Sequence, residues 1–371
     1  MMKIFYRKIS SINKTIFVLV LLIVSCISIN GQTDILVPEQ ILGSPSKIEQ
    51  LGVCLFTIVN QNDTIQFIKT GTDLEIPKPT IIYLQGSLPK PMIIRMNEKW
   101  LHLTIPFDYK KFSEEYNIII ISMPFVPAIL PYSQLNDQFA YITDTSNEHS
   151  FPIQYQEANH LDKYVERGEA VIRFLKKQNW VDEKRFVLLG HSQGAIVGTK
   201  IAVKNEHVAA LGYFSGNPLG RITSYVQEIR WAEQKGTIGA EEAKKQIDEM
   251  YSWWEWMIAN PDLIPAKGGD WNKATISFSV PHVNDLINMS PPVYVAYGSI
   301  DIGSSTYCDF LPIDFIRAGK KNYKVVPYVN CEHNFMKLDS TGNPDESEIY
   351  WDKAVEDFIE WLENESGVFK K

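Results

Sequence analysis

The sequence predicts an α/β protein built on a doubly wound, mostly parallel sheet of eight strands. Runs of apolar, often β-branched residues recur along the chain, and amphipathic stretches separate them. The clearest run is Ile118-Ile119-Ile120-Ile121, and such unbroken apolar strands are typical of a parallel sheet with both faces covered. Because sheets of this kind bind ligands at the carboxyl ends of their strands, we expect functional residues in the loops that follow the strands.

The eight predicted strands are apolar runs of five to eight residues. They cover residues 52–59, 64–69, 80–84, 117–122, 185–189, 208–214, 293–297 and 323–329. Between and after them, residues 162–178 and 348–363 place their apolar side chains on one helical face, and both segments are predicted to be helices.

Residues 218–290, between the sixth and seventh strands, are predicted to form a helical cap insertion. Its centre, 241–260, should be a helix that ends before Pro261. Six apolar residues recur there at helical spacing and predict a stripe that packs on the body of the domain: Ile247, Met250, Tyr251, Trp254, Met257 and Ile258. Trp253 and Trp256 add apolar surface on other sides, and in a second account, compatible with the first, some of the tryptophans line an apolar acyl or aromatic pocket over Ser192. The long loop 124–160 is a second candidate cap segment.

The pentapeptide Gly190-His191-Ser192-Gln193-Gly194 lies between a predicted strand and a predicted helix. This is the context of a Gly-x-Ser-x-Gly nucleophile elbow, in which two glycines let strand and helix approach closely. The serine then projects above the sheet near a helix N-terminus, where positive potential favours a developing oxyanion. Ser192 is the predicted nucleophile.

A serine nucleophile requires a histidine base and a carboxylate that orients it. In the fold that uses this elbow, the order along the chain is Ser, acid, His. His333 is the only histidine beyond residue 300, and it follows the last predicted strand. Asp301, just after strand 293–297, is the predicted acid. The rival carboxylates are Asp309, Asp314 and Glu332.

Two backbone N–H groups should form the oxyanion hole. One is that of Gln193, the residue after the nucleophile. The other is expected in the loop after strand 80–84, where Gly86 keeps the approach open and Ser87 is the predicted donor, with Leu88 as the alternative.

Together these residues resemble the α/β-hydrolase superfamily. The motifs Gln85-Gly86-Ser87, Gly190–Gly194, Tyr297–Asp301 and Glu332–Phe335 occur in that family's order, over roughly residues 50–365. The resemblance is to bacterial esterases and to dienelactone-hydrolase or prolyl-oligopeptidase-like catalytic domains. Gln-Gly-Ala follows the serine where the peptidase branch commonly has Tyr-Gly-Gly, and the His-Gly-Gly-Gly motif of many lipases is missing. These departures leave the subfamily open.

The N-terminus has the pattern of a secretory signal peptide, assigned to residues 1–31, with 32–371 as the catalytic domain. Four basic residues precede the apolar run 16–24, and smaller residues follow it. The run falls short of the ~20 residues that span a bilayer. We therefore expect export to the periplasm or the medium. Lipidation of Cys26, in Ile23-Val24-Ser25-Cys26, is the alternative to ordinary cleavage, and a short amphitropic anchor is a further one.

Charge and motifs exclude several other classes of function. Because residues 1–31 carry four positive and no negative charges, their removal takes the net charge from −8 to −12. So acidic a protein, without a basic stripe, is not expected to bind nucleic acid. No metal-binding or dinucleotide motif occurs, so we expect neither a metal nor a cofactor. In an exported protein Cys308 and Cys331 could pair and brace the acid and histidine loops, whereas Cys54, in an apolar strand, is expected to be buried and inert.

These observations predict an exported serine hydrolase that cleaves a carboxylic ester by a Ser-His-Asp acyl-enzyme mechanism. A serine peptidase acting on short peptides is the first alternative. A secreted binding protein that has kept the fold and lost catalysis is the second.

Overall fold

A computed structural model describes residues 40–41, 44–264 and 269–369 of the chain. The predicted signal segment 1–31 and Cys26 therefore lie outside the described residues. Within the described part, no helix is long and apolar enough to cross a membrane.

The main sheet contains all eight predicted strands, with bounds shifted by up to four residues at either end. In chain order they are β3 (Val53–Asn60), β4 (Asp63–Thr70), β5 (Lys78–Leu84), β8 (Asn117–Ile121), β10 (Val181–His191), β11 (Val208–Phe214), β12 (Val293–Gly298) and β13 (Tyr323–Tyr328). Two short strands, β1 (Gln40–Ile41) and β2 (Ser46–Ile48), pair antiparallel with β3, so the sheet has ten strands and not eight.

The strand order is β1-β3-β4-β8-β5-β10-β11-β12-β13. From β8 to β13 every neighbouring pair is parallel, and β3 and β4 are antiparallel to their neighbours. The elbow strand β10 lies at the centre, between β5 and β11. The carboxyl ends of β5, β10, β11 and β12 therefore meet at one edge of the sheet.

Nine helices flank the sheet or belong to the cap within the described part of the chain. They are α1 (Ile153–Ala158), α2 (Leu161–Leu175), α3 (Gln193–Lys204), α4 (Arg221–Gln234), α5 (Ala240–Ala259), α6 (Asn272–Ser277), α7 (Val283–Asn288), α8 (Ser305–Arg317) and α9 (Trp351–Asn364). Helices α2, α3 and α8 bury their apolar residues on one face of the sheet, and α9 buries its own on the other. The last helix begins three residues later than predicted, because Pro344–Ile349 forms strand β15.

Two smaller sheets and two short 3₁₀ helices complete the described structure. Strands β6 (Ile93–Arg95), β7 (Leu101–Leu103) and β9 (Ile129–Pro131) form one small sheet, and β14 (Met336–Leu338) pairs with β15 to form the other. The 3₁₀ helices are Tyr109–Lys111 and Tyr132–Gln134. The predicted loop 124–160 thus contains β9, a 3₁₀ turn and α1.

Four helices, α4 to α7, occupy the predicted cap insertion between β11 and β12. Helix α5 ends before Pro261 as predicted. The predicted stripe on α5 is wrong in part: Ile247, Met250 and Met257 are buried, whereas Tyr251 and Ile258 are more than half exposed. The helix packs on α4 and α6 through a narrower face than the spacing suggested.

Candidate active site

The turn between β10 and α3 has the backbone geometry of a strained elbow. Ser192 has φ +56° and ψ −120°, a region that non-glycine residues occupy at an energetic cost. Its N–H donates to the Phe214 carbonyl at 2.8 Å. A Cβ on Gly190 would overlap the Gly194 backbone, and one on Gly194 would overlap the Leu84 carbonyl. The two glycines therefore let helix and strands approach closely enough to hold the turn.

Ser192, His333 and Asp301 form a continuous hydrogen-bonded chain. His333 Nε2 lies 2.9 Å from Ser192 Oγ, and His333 Nδ1 lies 2.8 Å from Asp301 Oδ2. These bonds are compatible with a neutral imidazole that donates from Nδ1 and accepts from the serine hydroxyl. The structure thus brings together the three residues that the sequence singled out.

The Asp301 carboxylate is buried and accepts hydrogen bonds on both oxygens, whereas the His333 side chain remains 38% exposed. The Asp301 carboxylate also accepts from the N–H of Gly303 at 3.0 Å and from the hydroxyl of Ser304. Burial raises the pKa of Asp301, but the His333 charge and these hydrogen bonds outweigh it and hold the pKa below its usual value. Asp301 therefore stays ionised beside the histidine.

Burial lowers the pKa of His333, and the charge of Asp301 and its hydrogen bond to the ring oppose that effect. The charges of Glu332 and Glu228 also oppose it, so the pKa of His333 lies above its usual value of 6.5. A raised pKa makes the imidazole a stronger base towards the serine hydroxyl.

The rival carboxylates have other partners. Asp309 accepts from the Tyr297 hydroxyl, and Asp314 pairs with Arg317. Glu332 accepts backbone N–H groups of its own loop, at 2.7 Å from Asn334 and 3.1 Å from Met336.

Gln193 and Ser87, the predicted oxyanion donors, both line the pocket beside Ser192. Gln193 is the first residue of α3, so its N–H has no acceptor within the helix. Ser87 lines the same pocket as Ser192, Gln193 and His333. Gly86 lies against the nucleophile, because a Cβ on it would come within 3.3 Å of the Ser192 Cβ. Leu88, the alternative donor, has φ +82°.

His191, to which the sequence analysis assigns no role, contacts the loop that carries His333. Its Nε2 lies 3.0 Å from the His333 carbonyl oxygen, so Nε2 carries the proton that is donated. Burial and the charge of His333 lower the pKa of His191 to about 3 and keep it neutral. Its place inside the elbow pentapeptide was the signal that could have identified it.

The pocket beside Ser192 has a volume of about 100 Å³, and eight of its eleven lining residues are polar. Besides Ser192 and His333, its polar lining residues are Ser87, Gln193, Ser215, Asn217, Arg221 and Ser224. The expectation that cap tryptophans line it is wrong, because Trp253 and Trp256 are 40% and 46% exposed on α5 and contribute nothing to it. The cap contributes Arg221 and Ser224 of α4 and Phe278, directly after α6, instead.

Arg221 is the main polar contact between the cap and the elbow. Its guanidinium donates to Asp270 Oδ2 at 2.7 Å and to the Gln193 side-chain oxygen. Asp270 also accepts from Asn159 at 2.8 Å, which ties segment 124–160 to the cap. Sequence reasoning missed this group, because nothing in the local pattern pairs residues so far apart.

The pairing of Cys308 with Cys331, which the sequence left open, is not formed: both are free thiols, as is Cys54, and all three are buried. Cys308 lies in the core on one face of the sheet and Cys331 in the core on the other. Among the residues described, no three or more His, Cys, Asp or Glu side chains are grouped so that they could hold a metal ion.

No family model matches this sequence, and neither does any curated protein. Solved structures do match the fold. An acylaminoacyl peptidase in complex with Z-Gly-Gly-Phe-chloromethyl ketone aligns with a TM-score of 0.51 and 13% identity, over 88% of this chain and 42% of that chain.

Two further structures align more loosely. The acylaminoacyl peptidase of Pyrococcus horikoshii has a TM-score of 0.49 at 12% identity, over 86% of this chain and 41% of its own. The acetyl xylan esterase of Paenibacillus sp. R4 has a TM-score of 0.47 at 13% identity, over 88% of this chain and 92% of its own. Taken with the strand order and the strained elbow, the likeness to the first peptidase leads to one conclusion: the chain has the α/β-hydrolase fold.

Proposed function

We propose that this chain is a serine hydrolase that cleaves a carboxylic ester through an acyl-enzyme. The observation that carries the proposal is the hydrogen-bonded series Asp301–His333–Ser192, with distances of 2.8 and 2.9 Å. A serine hydroxyl is a weak nucleophile by itself, and a base within hydrogen-bonding reach is what activates it.

In the first half of the reaction, Ser192 Oγ attacks the carbonyl carbon while His333 Nε2 takes its proton. The carbonyl oxygen becomes an oxyanion, which accepts from the N–H groups of Gln193 and Ser87. When the tetrahedral intermediate collapses, the C–O bond to the alcohol breaks and His333 returns the proton to the leaving alcohol. The acyl group remains on Ser192.

In the second half, water attacks the acyl carbon and His333 accepts one of its protons. The bond to Ser192 Oγ then breaks, the serine recovers its proton from His333, and the carboxylic acid leaves. Asp301 keeps the proton of the neutral imidazole on Nδ1 and stabilises the imidazolium formed in each half.

An ester is the first choice, because expelling an alcohol demands less of the site than expelling an amine. A peptidase acting on short peptides is the second candidate. Glu228 on α4 supports it, since its carboxylate acts electrostatically on His333 and Asp301 and could attract a substrate amine. A silent binding protein is disfavoured by the intact hydrogen-bonded series.

Export is part of the proposal, to the periplasm or the medium, with lipidation at Cys26 as the alternative to ordinary cleavage. It rests on the basic, apolar and small residues of 1–31 alone. The proposed substrate is a small-molecule ester, and the proposed chemistry requires no cofactor.

Labelling with a fluorophosphonate tests the nucleophile. We expect the probe to modify Ser192, as located by peptide mass spectrometry, and Ser192→Ala to abolish labelling. The same variant should lower kcat/KM on the best ester by several powers of ten, on the order of 10⁴ to 10⁶.

Ser146→Ala is the matched control. Its hydroxyl donates to Asp144 Oδ1 at 2.7 Å, so it contacts a carboxylate directly. We expect this variant to be labelled and to turn over like the parent. Wild-type turnover by Ser192→Ala would refute the assignment, and faster cleavage of aminoacyl amides than of esters would favour the peptidase.

A further inference from the structure

The pocket beside Ser192 is small, and most of its lining residues are polar. Its volume of about 100 Å³ corresponds to roughly three water-sized groups, at about 30 Å³ each. Only Ile196, Phe278 and Gly303 among its eleven lining residues are non-polar. An acyl group that fills this pocket is therefore short and lies beside hydrogen-bonding side chains.

Two polar atoms of residues that line this pocket are buried without a hydrogen-bond partner of ordinary geometry. They are Ser215 Oγ and Gln193 Nε2, and their residues are only 2% and 5% exposed. The Gln193 side chain has a hydrogen-bond contact with the Tyr164 hydroxyl, so Ser215 Oγ is the atom of the two that no described protein group satisfies. An unpaired buried polar group costs about 1–3 kcal/mol, and this cost is recovered when a ligand oxygen bonds Ser215 Oγ.

Ser215 is held in a strained backbone conformation. It has φ +47°, immediately after β11, and its N–H donates to the Ala296 carbonyl at 2.8 Å. A serine held at positive φ at the carboxyl end of a central strand is a candidate functional residue, since such strain clusters at binding sites.

The pocket offers hydrogen-bond donors without an uncompensated positive charge. Arg221 is paired with Asp270, and its bonds to Asp270 and Gln193 use two of its five N–H donors. Asp301 and Glu228 add negative charge around His333. An acyl group with its own carboxylate would be repelled, whereas a hydroxyl or carbonyl oxygen would be accepted.

The acyl group, rather than the leaving alcohol, belongs in this pocket. His333 must protonate the alcohol, and its ring is 38% exposed, so the alcohol can leave from the solvent side. The acyl group stays bound to Ser192 until water releases it, and the pocket lies beside that atom.

We propose that the substrate is an ester of a short acid whose acyl chain carries an uncharged hydrogen-bonding oxygen, bound by Ser215 and Arg221. This inference rests on the proposed function and adds the substrate class. A tail of about three non-hydrogen atoms, as in a 3-hydroxypropanoyl group, matches the volume.

A pair of isosteric esters tests it. Methyl 3-hydroxypropanoate and methyl butanoate differ only by a hydroxyl in place of a methyl group, and both release methanol. We expect kcat/KM, measured by acid release in a pH-stat, to be about tenfold higher for the hydroxylated ester, because a site built for hydrogen bonds rejects a partner that lacks them. Monomethyl succinate should be slower than either.

Two substitutions connect the preference to Ser215. Ser215→Ala removes the hydroxyl, and Ser215→Gly removes it while relieving the strain at φ +47°. We expect either variant to lower the preference to about twofold, the remainder coming from the other donors. Thr104→Val is the control, because Thr104 Oγ1 is also buried without a partner but lies outside the pocket. It should keep the tenfold preference.

The outcomes separate the two proposals. No fluorophosphonate label on Ser192 together with no ester turnover would overturn the proposed function. With Ser192 labelled, the substrate inference fails if butanoate is cleaved as fast as 3-hydroxypropanoate, if succinate is fastest, or if none of the three is cleaved. It also fails if the preference appears only for 2-hydroxyethyl over propyl butanoate, which would place the polar group in the alcohol.

Discussion

Two serines at the carboxyl ends of adjacent central strands are held at positive φ, Ser192 at +56° and Ser215 at +47°. Each such conformation costs about 1–3 kcal/mol for a residue with a side chain. Backbone bonds of 2.8 Å to the carbonyls of Phe214 and Ala296 hold them there. The sheet thus stabilises two strained turns whose serines both line the same pocket.

The environment of His333 predicts the pH dependence of the reaction. Since the neutral imidazole is the base, kcat/KM should rise with pH, and its midpoint should lie above 6.5 because the pKa of His333 is raised. Asp301→Asn removes the main interaction that offsets the effect of burial on the pKa of His333, so the midpoint should move below 6.5. The same change should lower the rate by roughly 10³ to 10⁴. Ester hydrolysis across pH measures both effects.

Glu332→Gln tests the effect of a nearby charge on the pKa of His333 without removing a hydrogen bond to the ring. Its carboxylate raises the pKa of His333 but bonds to the backbone of its own loop rather than to the ring. We expect a smaller shift of the midpoint towards low pH and a rate close to that of the parent. An unshifted midpoint in Asp301→Asn would show that another group controls the acid limb.

Single residues differ in how far the sequence could reveal them. Ser192, Asp301 and His333 could be identified from the sequence, because the chemistry restricts their residue types and the fold restricts their order along the chain. The Arg221–Asp270 pair and the strain at Ser215 were not, since they depend on how cap and sheet pack in three dimensions. The catalytic roles of the first three remain a prediction that labelling and kinetics can test.

The strand–turn–helix element around Ser192 depends on Gly194. Helix propensity alone would favour alanine there by about 1 kcal/mol. However, a Cβ would overlap the Leu84 carbonyl, and neither backbone can move without disturbing β5, β10 or α3. We expect Gly194→Ala to lower the free energy of unfolding by about 3 kcal/mol, the upper end of over-packing effects, in urea denaturation.

Gly239→Ala is the matched control for this element. Gly239 precedes α5 with φ −80°, and a Cβ there would meet nothing within 4 Å. Its substitution should cost less than about 1 kcal/mol, the effect of exchanging a glycine at a helix N-cap. Similar losses in the two variants would mean that close approach at Gly194 does not hold the elbow.

Elements with strong apolar patterns were predictable, and those without were not. All eight central strands were found, and several of them, Ile118–Ile121 above all, are unbroken apolar runs. Strand β15 (Pro344–Ile349) is mostly exposed and polar, so its sequence resembled the start of the last helix. On α5 the apolar residues exceed what the packed face can bury, and the spacing alone could not identify the exposed ones.

At the scale of the whole molecule, the sheet divides the interior into two apolar cores. Alternate residues of β12 show the division: Val293, Val295 and Tyr297 face one core, and Tyr294 and Ala296 face the other. Cys308 of α8 belongs to the first core, and Cys331 of the histidine loop belongs to the second. Sequence proximity to the same two catalytic loops suggested a disulfide, and the sheet prevents it.

The thiols of Cys54, Cys308 and Cys331 should therefore be free and protected. All three are buried, and burial raises their pKa values, so little reactive thiolate forms. We expect no reaction of these thiols with a maleimide in the native protein and complete reaction after denaturation without reductant, assigned by peptide mass spectrometry. A linked peptide containing Cys308 and Cys331 would contradict this arrangement, because forming it would require the two catalytic loops to meet on one face of the sheet.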